Sequence, residues 1–167
     1  MWKVILFAHD FSECAERVEP VVIQLARTHC ARVVVCHVTQ LTNGLSPQTI
    51  ISPPGEEAPI TVGEYTMRTG RERLAAIGKR IAHDCVEVET AVILDEIHTG
   101  ILRAAKDYRA EVIVMGTHGR TGLSHWLLGS VAEKVLRQAE VPVITLRSHV
   151  STQAPAEERV LDDEMSG

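Results

Sequence analysis

The sequence predicts an α/β domain: a single-domain, open, five-stranded parallel sheet with helices on both faces. Three observations predict it. Five apolar or β-branched runs of strand length alternate with four helical periodicities, in the order β-α-β-loop-α-β-α-β-α-β. Four of the five runs are apolar nearly throughout, as strands covered on both faces are. A chain of 167 residues suffices for one well-buried core and is too short for two ordinary domains.

The first strand falls on residues 3–8. Ser12 then supplies an N-cap for a helix whose apolar positions are Val18, Val21, Val22, Leu25 and Ala26, spaced i, i+3, i+4, i+7, i+8. Pro20 lies inside that pattern, so the helix either kinks there or becomes regular only near Glu19. Residues 32–38, Arg-Val-Val-Val-Cys-His-Val, form the second strand. Residues 39–62 hold Gly44, Pro47, Pro53, Pro54, Gly55 and Pro59 and predict an irregular excursion. A loop of that length is either functional, as a lid or dimer contact, or disordered. Met67, Leu74, Ile77 and Ile81 share one face of the second helix. In 86–94, Val86, Val88, Val92 and Leu94 lie on one face and Glu87 and Glu89 on the other, so this strand is less covered. Ile97, Ile101, Leu102 and Ala105 mark the third helix, 111–115 the fourth strand, Val131, Val135, Leu136 and Ala139 the fourth helix, and 141–146 the last strand.

Charge divides the chain unevenly. The tail 148–167 sets five acids against Arg159, which is −4 of the chain's formal −5. That leaves a folded body, 1–147, that is nearly neutral and a polar tail with little to bury, predicted to be disordered. No basic run of the kind a nucleic-acid partner requires is present. The apolar opening is cut off by His9 and Asp10, too short for a secretory segment, and no stretch approaches the roughly 20 apolar residues of a membrane span. The expected location is cytoplasmic, with no membrane partner. Cys14, Cys30, Cys36 and Cys85 include no C-x-x-C pair and read as free thiols in or near the core. Cys30 and Cys36 with His29 or His37 lack the second ligand pair of a zinc site, so no metal site is assigned.

The chemistry concentrates after the fourth strand. Gly116-Thr-His-Gly119 is followed by nine residues and then Gly129-Ser130, at the start of the fourth helix. Glycine lets the main chain approach a phosphate closely, and the free N–H groups of a helix start point at it. Ser130 adds a hydroxyl where an N-cap would sit. The spacing is neither a phosphate-binding Gly-Lys-Ser/Thr loop nor a G-x-G-x-x-G fingerprint, and the next lysine is Lys134. By itself it supports a phosphate-bearing ligand and leaves a structural turn open. Asp10 after the first strand, Val38 ending the second and Gly116 after the fourth fall on one edge of the predicted sheet, where open α/β sheets bind ligands.

The run from Gly116 to Leu136, GTHGRTGLSHWLLGSVAEKVL, resembles the signature of the universal stress protein family. Val4-Ile-Leu-Phe-Ala-His-Asp-Phe-Ser12 is similar to that family's first strand and turn, and Cys36-His37-Val38 to the end of its second strand; the resemblance covers about residues 3–147. The G-x-x-G-x₉-G-S form resembles the ATP-binding branch, whose fold is Rossmann-like and adenine-nucleotide-hydrolase-like. The resemblance implies that main chain around Gly116, His118, Gly119, Gly129, Ser130 and Val131 holds phosphates and ribose. It also implies that Asp10 contacts the nucleoside and that the backbone at Val38 recognises adenine. Ala8 stands where many relatives carry proline, a position of backbone and contact surface. The implied function is that of a nucleotide-responsive stress regulator.

From the residues themselves, Asp10 either accepts ribose hydroxyls or caps the first helix. His118 and Arg120 either reach phosphate oxygens or sit in solvent. His9 and His37 read as packed, and Trp126 with Leu127 and Leu128 as an anchor for the motif loop. Turnover is not encoded: Asp10 is the one evident acid near the site and no catalytic lysine is apparent, whereas phosphoryl transfer wants both kinds of group. ATP could carry Mg²⁺ or Mn²⁺ through its own phosphates. Slow hydrolysis, autophosphorylation on Ser124 or Ser130, or a partner-binding module with structural nucleotide are the alternatives. An apolar edge at the strand 141–147, between Val141 and Arg147, predicts a homodimer.

Overall fold

The computed structural model describes residues 1–41, 44–55, 57–84, 87–117 and 128–147. The acidic tail and the centre of the glycine motif, with His118, Gly119, Arg120, Ser124, Trp126 and Leu127, lie outside them. The elements are β1 (Val4–Ala8), α1 (Glu13–His29), β2 (Arg32–Thr39), β3 (Ile50–Ile51), β4 (Ile60–Thr61), α2 (Val62–Ala82), β5 (Val88–Leu94), α3 (Ile97–Asp107), β6 (Val112–Gly116), α4 (Ser130–Gln138) and β7 (Val143–Leu146). Five strands form one parallel sheet in the order β5-β2-β1-β6-β7. The chain winds outward from β1 to β2 and β5, then returns across β1 to β6 and β7. The winding direction therefore reverses between β1 and β6.

Strand alternation sends side chains to two cores. Ile5, Phe7, Val33, Val35, Val112 and Val114 face α1 and α2, where they meet Val18, Val22, Leu74, Ile77 and Ile81. Leu6, Val34, Cys36, Val38, Ile113 and Met115 face α3 and α4, with Ile101, Ala104, Ala132 and Val135. Burying each such aliphatic side chain contributes about 1.5–3 kcal/mol, which is why the central strands are apolar nearly throughout. At the sheet edge, β5 keeps Glu89 exposed, as its alternating sequence predicts; Thr90, on the same side as Val88 and Val92, is exposed as well.

Helix α1 resolves the Pro20 alternatives. It starts at Glu13, with the Ser12 hydroxyl accepting from the Ala15 N–H at 3.2 Å, and continues through Pro20 to His29. Pro20 is exposed, so water can satisfy the carbonyl that its missing N–H leaves unpaired. The 39–62 stretch is less irregular than predicted. Ile50–Ile51 and Ile60–Thr61 pair as a short antiparallel ladder, and the Thr61 hydroxyl caps α2 by accepting from the Glu64 N–H at 3.1 Å. Paired β-branched residues on both sides of the Pro-Pro-Gly turn explain the ladder. Among the described residues, no helix is long and apolar enough to cross a membrane.

Candidate functional site

A cavity of about 410 Å³ opens at the carboxyl ends of β1, β2 and β6, against the first turn of α4. It sits at the winding reversal, where two neighbouring crossovers leave the sheet in opposite directions and a crevice opens between them. The start of α4 is tied to the end of β6: the Gly129 N–H donates to the Thr117 carbonyl at 2.9 Å, and the Thr117 N–H donates to the Leu146 carbonyl at 2.9 Å. The Glu133 N–H donates to the Gly129 carbonyl at 2.9 Å, the first bond of the helix. The cap position therefore falls on Gly129, one residue before the predicted Ser130, which becomes the first helical residue instead.

Helix caps distinguish the site from the rest of the molecule. Ser12 and Thr61 cap α1 and α2 with their hydroxyls. No side chain at the cap position bonds the first amides of α3 or α4, the two helices whose first turns border the cavity. The amides at the start of α4 carry partial positive charge and face a cavity in which they suit an anion. Among the described lining residues, Asp10 is the only carboxylate and no lysine or arginine is present, so main-chain dipoles must supply most of the attraction for a phosphate.

The opposite wall is apolar. Val38, Met115, Ile97 and Ile101 line it, and Ile97 remains 36% exposed. Gly100 sets how closely α3 approaches: a Cβ there would lie 2.5 Å from Cγ1 of Val38, well inside contact distance. An aromatic ring of nucleobase thickness matches such a wall chemically, since its faces need no hydrogen bonds. Sequence reasoning placed Ile97 and Ile101 on a core stripe and missed their part in the cavity. The available signal was a stripe continuing to the helix's first residue, beyond what core packing needs.

Asp10 lines the cavity but does not itself cap α1, which is capped by the Ser12 hydroxyl. Asp10 Oδ1 accepts from the Ser12 N–H at 3.1 Å and from the Ser12 hydroxyl at 2.6 Å, so it steadies the residue that caps α1 while lining the cavity. His9 and His37 are 2% and 5% exposed, packed as expected, and both also contribute to the lining. Burial pushes the Cys36 thiol up to about 12, against a smaller opposing effect of Arg103, so this lining thiol stays protonated and unreactive at neutral pH. Cys14 is buried and Cys30 exposed; both are free. Among the described residues, no group of histidine, cysteine and carboxylate side chains could hold a metal ion.

Ala8, Asp10, Val38, Gly116, Gly129, Ser130 and Val131 all line this one cavity; His118 and Gly119 lie outside the described residues. An α/β sheet with a ligand-sized cavity at its switch point defines a broad class of small-molecule-binding folds. The sequence profile of the Universal stress protein family matches residues 1–147, and the chain belongs to this family. It is 33% identical over 148 residues to a universal stress protein of Thermus aquaticus, covering 88% of this chain and 100% of that one. A crystal structure of a family protein from Burkholderia pseudomallei superposes with a TM-score of 0.63 at 27% identity, covering 86% of this chain and 95% of that one. Two more distant structures share the fold. A universal stress protein in complex with cAMP gives a TM-score of 0.59 at 15% identity, covering 89% and 98% of the two chains. One from Archaeoglobus fulgidus in complex with dAMP gives 0.57 at 22%, covering 87% and 97%.

Proposed function

We propose that this protein binds an adenine nucleotide, ATP, in the cavity at the β1–β6 switch point and acts as a nucleotide-responsive stress regulator. One observation carries the reading: residues of β1, β2, β6 and α4 line a single cavity with an apolar wall on one side and a helix start without a side-chain cap on the other. The apolar wall suits the base, the Val38 main chain its edge, Asp10 the ribose hydroxyls, and the amides from Gly129 to Val131 the phosphates. That relatives of the same fold are complexed with cAMP and with dAMP supports an adenylate as the ligand class. Mg²⁺ or Mn²⁺, if bound, would arrive on the phosphates, with Asp10 the acid closest at hand. Among the described lining residues, no lysine or arginine supplies the cationic stabiliser that rapid phosphoryl transfer needs, which favours a binding role.

The same reading includes a homodimer. Strand β7 is a sheet edge whose four residues are all only partly buried. An unpaired apolar edge of this kind is satisfied by pairing with a second copy. Calorimetric titration of the full chain with ATP tests the function directly. A dissociation constant below the millimolar range is expected, and no heat of binding at millimolar nucleotide would overturn the reading.

A further inference from the structure

His9 is held at every polar atom it has. Its N–H donates to the Cys36 carbonyl at 2.8 Å, and its carbonyl accepts from His37 Nδ1 at 2.7 Å. Its ring Nδ1 accepts from the Phe11 N–H at 3.0 Å, and its Nε2 lies 3.2 Å from Glu19 Oε1. An amide N–H can only donate, so Nδ1 of His9 must be unprotonated. The ring's hydrogen then sits on Nε2 and is donated to Glu19. His37, whose Nδ1 faces a carbonyl, must carry its hydrogen on that nitrogen. The two neighbouring histidines are thus fixed in opposite tautomers by what surrounds them.

Glu19 is itself gripped from another helix. Arg80 of α2 donates through Nη2 to Oε1 at 2.6 Å and through Nε to Oε2 at 3.1 Å, a forked pairing that fixes the carboxylate plane. Glu19 is 8% exposed, while the Arg80 side chain is half exposed. Neither residue lines the nucleotide cavity. The turn they reach does: it runs from Ala8 through Asp10 to Ser12. Phe11, within that turn, has φ +63°, a left-handed conformation that a bulky residue keeps only when its surroundings over-determine it. Those surroundings are the bond to His9, the His37 ring at 4.1 Å and the Arg73 guanidinium 3.9 Å from the Phe11 ring centre.

We propose that Glu19 and Arg80 are positioning residues for the nucleotide site. They hold His9 in its Nε2–H tautomer, and His9, through the Phe11 N–H, holds the β1–α1 turn in the conformation that presents Asp10 to the cavity. The inference rests on the nucleotide reading of that cavity. A purely packing role for the pair would make its shape matter; this role makes a hydrogen-bond acceptor facing His9 matter.

The test uses the full chain, ATP calorimetry and ¹⁵N–¹H correlation spectra of the histidine rings and the backbone. Wild type should show His9 protonated on Nε2. Glu19→Leu should lower ATP affinity about tenfold, and Arg80→Met about threefold, the scale of losing a buried charge-assisted hydrogen bond or its support. Both should shift the His9 ring and the amides of Asp10, Phe11 and Ser12 in the absence of nucleotide. Glu19→Gln, whose side-chain carbonyl can still accept from Nε2–H, should return affinity to within about threefold of wild type. Wild-type affinity in both folded variants, or a wild-type His9 carrying its hydrogen on Nδ1, would overturn the proposal. Should Glu19→Leu fail to fold, Arg80→Met carries the test, since that side chain is half exposed. Absence of ATP binding by wild type would sink the nucleotide reading instead, and the ring and amide spectra would still decide whether Glu19 holds the turn.

Discussion

Replacing Gly100 with alanine drives a methyl group into Val38. The new Cβ would stand 2.5 Å from Cγ1, 3.0 Å from Cγ2 and 3.4 Å from the Asp95 Cβ. Carbon atoms prefer about 3.5–4.0 Å, so the nearest approach intrudes by about 1 Å. Val38 cannot easily yield: it is β-branched, 7% exposed, and paired with Ile93 in the parallel ladder of β2 with β5. Overpacking of this kind costs about 1–3 kcal/mol, and the better helix propensity of alanine returns about 1 kcal/mol. The single variant should therefore lose up to about 2 kcal/mol in urea denaturation. Val38→Ala alone removes two methyl groups and should cost about 2 kcal/mol, counting roughly 0.8 kcal/mol per group and a small cavity term. In the double variant the added methyl enters the vacated space. The two losses should then fall short of adding by about 1 kcal/mol or more. Additivity within about 0.5 kcal/mol would refute the contact and with it the close seating of α3 that forms the apolar wall.

Gly129→Val should abolish ATP binding in calorimetry while leaving the far-ultraviolet spectrum and melting temperature near wild type, because φ −60° and ψ 145° are open to valine but the side chain would enter phosphate space. The Pro142 and Leu146 carbonyls accept from the N–H groups of Ile113 and Thr117, so by alternation Val143 and Thr145 of β7 turn their main-chain groups outward. Thr145→Pro should accordingly halve the sedimentation mass without unfolding the sheet; a monomeric wild type at micromolar concentration would remove the dimer. Burial alone would raise Glu19, yet hydrogen bonds from His9 and Arg80 and the Arg80 charge outweigh it and hold the carboxyl below its ordinary value of 4.5. A depressed folded value means stability that is fully present above pH 4.5 and lost as pH falls through the lower folded value. Glu19→Gln should flatten the acid limb of a stability–pH curve in that window and leave the neutral limb parallel to wild type; an unchanged acid limb would count against the pairing.

The layered fold was legible because each element carries its own period. Val33, Val34 and Val35 can all be buried only if both sheet faces are covered, and Leu74, Ile77 and Ile81 can share a surface only on a helix. Boundaries were less legible. Thr39 and Gly116 extend their strands by one residue because neighbouring strands offer ladder partners, Leu94 for Thr39 and Leu146 for Gly116. Those partners are distant in sequence. The hairpin within 39–62 was hidden for a related reason: two residues per strand are too few for a period to show.

Much of the candidate site could be read from strand ends alone. Ala8, Asp10, Val38, Gly116 and Gly129 stand at positions where a parallel strand stops or a helix begins, and all strand ends of that kind meet at one edge. The alternation of elements, the two-sided burial of the central strands and the residues along that edge are all written in the amino-acid order. These follow from local periodicity and from the shared direction of parallel strands. Three-dimensional packing was needed to see that β6 lies beside β1 with the winding reversed there, that Gly100 lets Ile97 and Ile101 wall the cavity, and that Glu19 and Arg80 reach the Asp10 turn through His9. Such pairings join residues up to 61 positions apart in this last relay. Strand order and helix placement create them, and a local hydrophobic period carries no information about either.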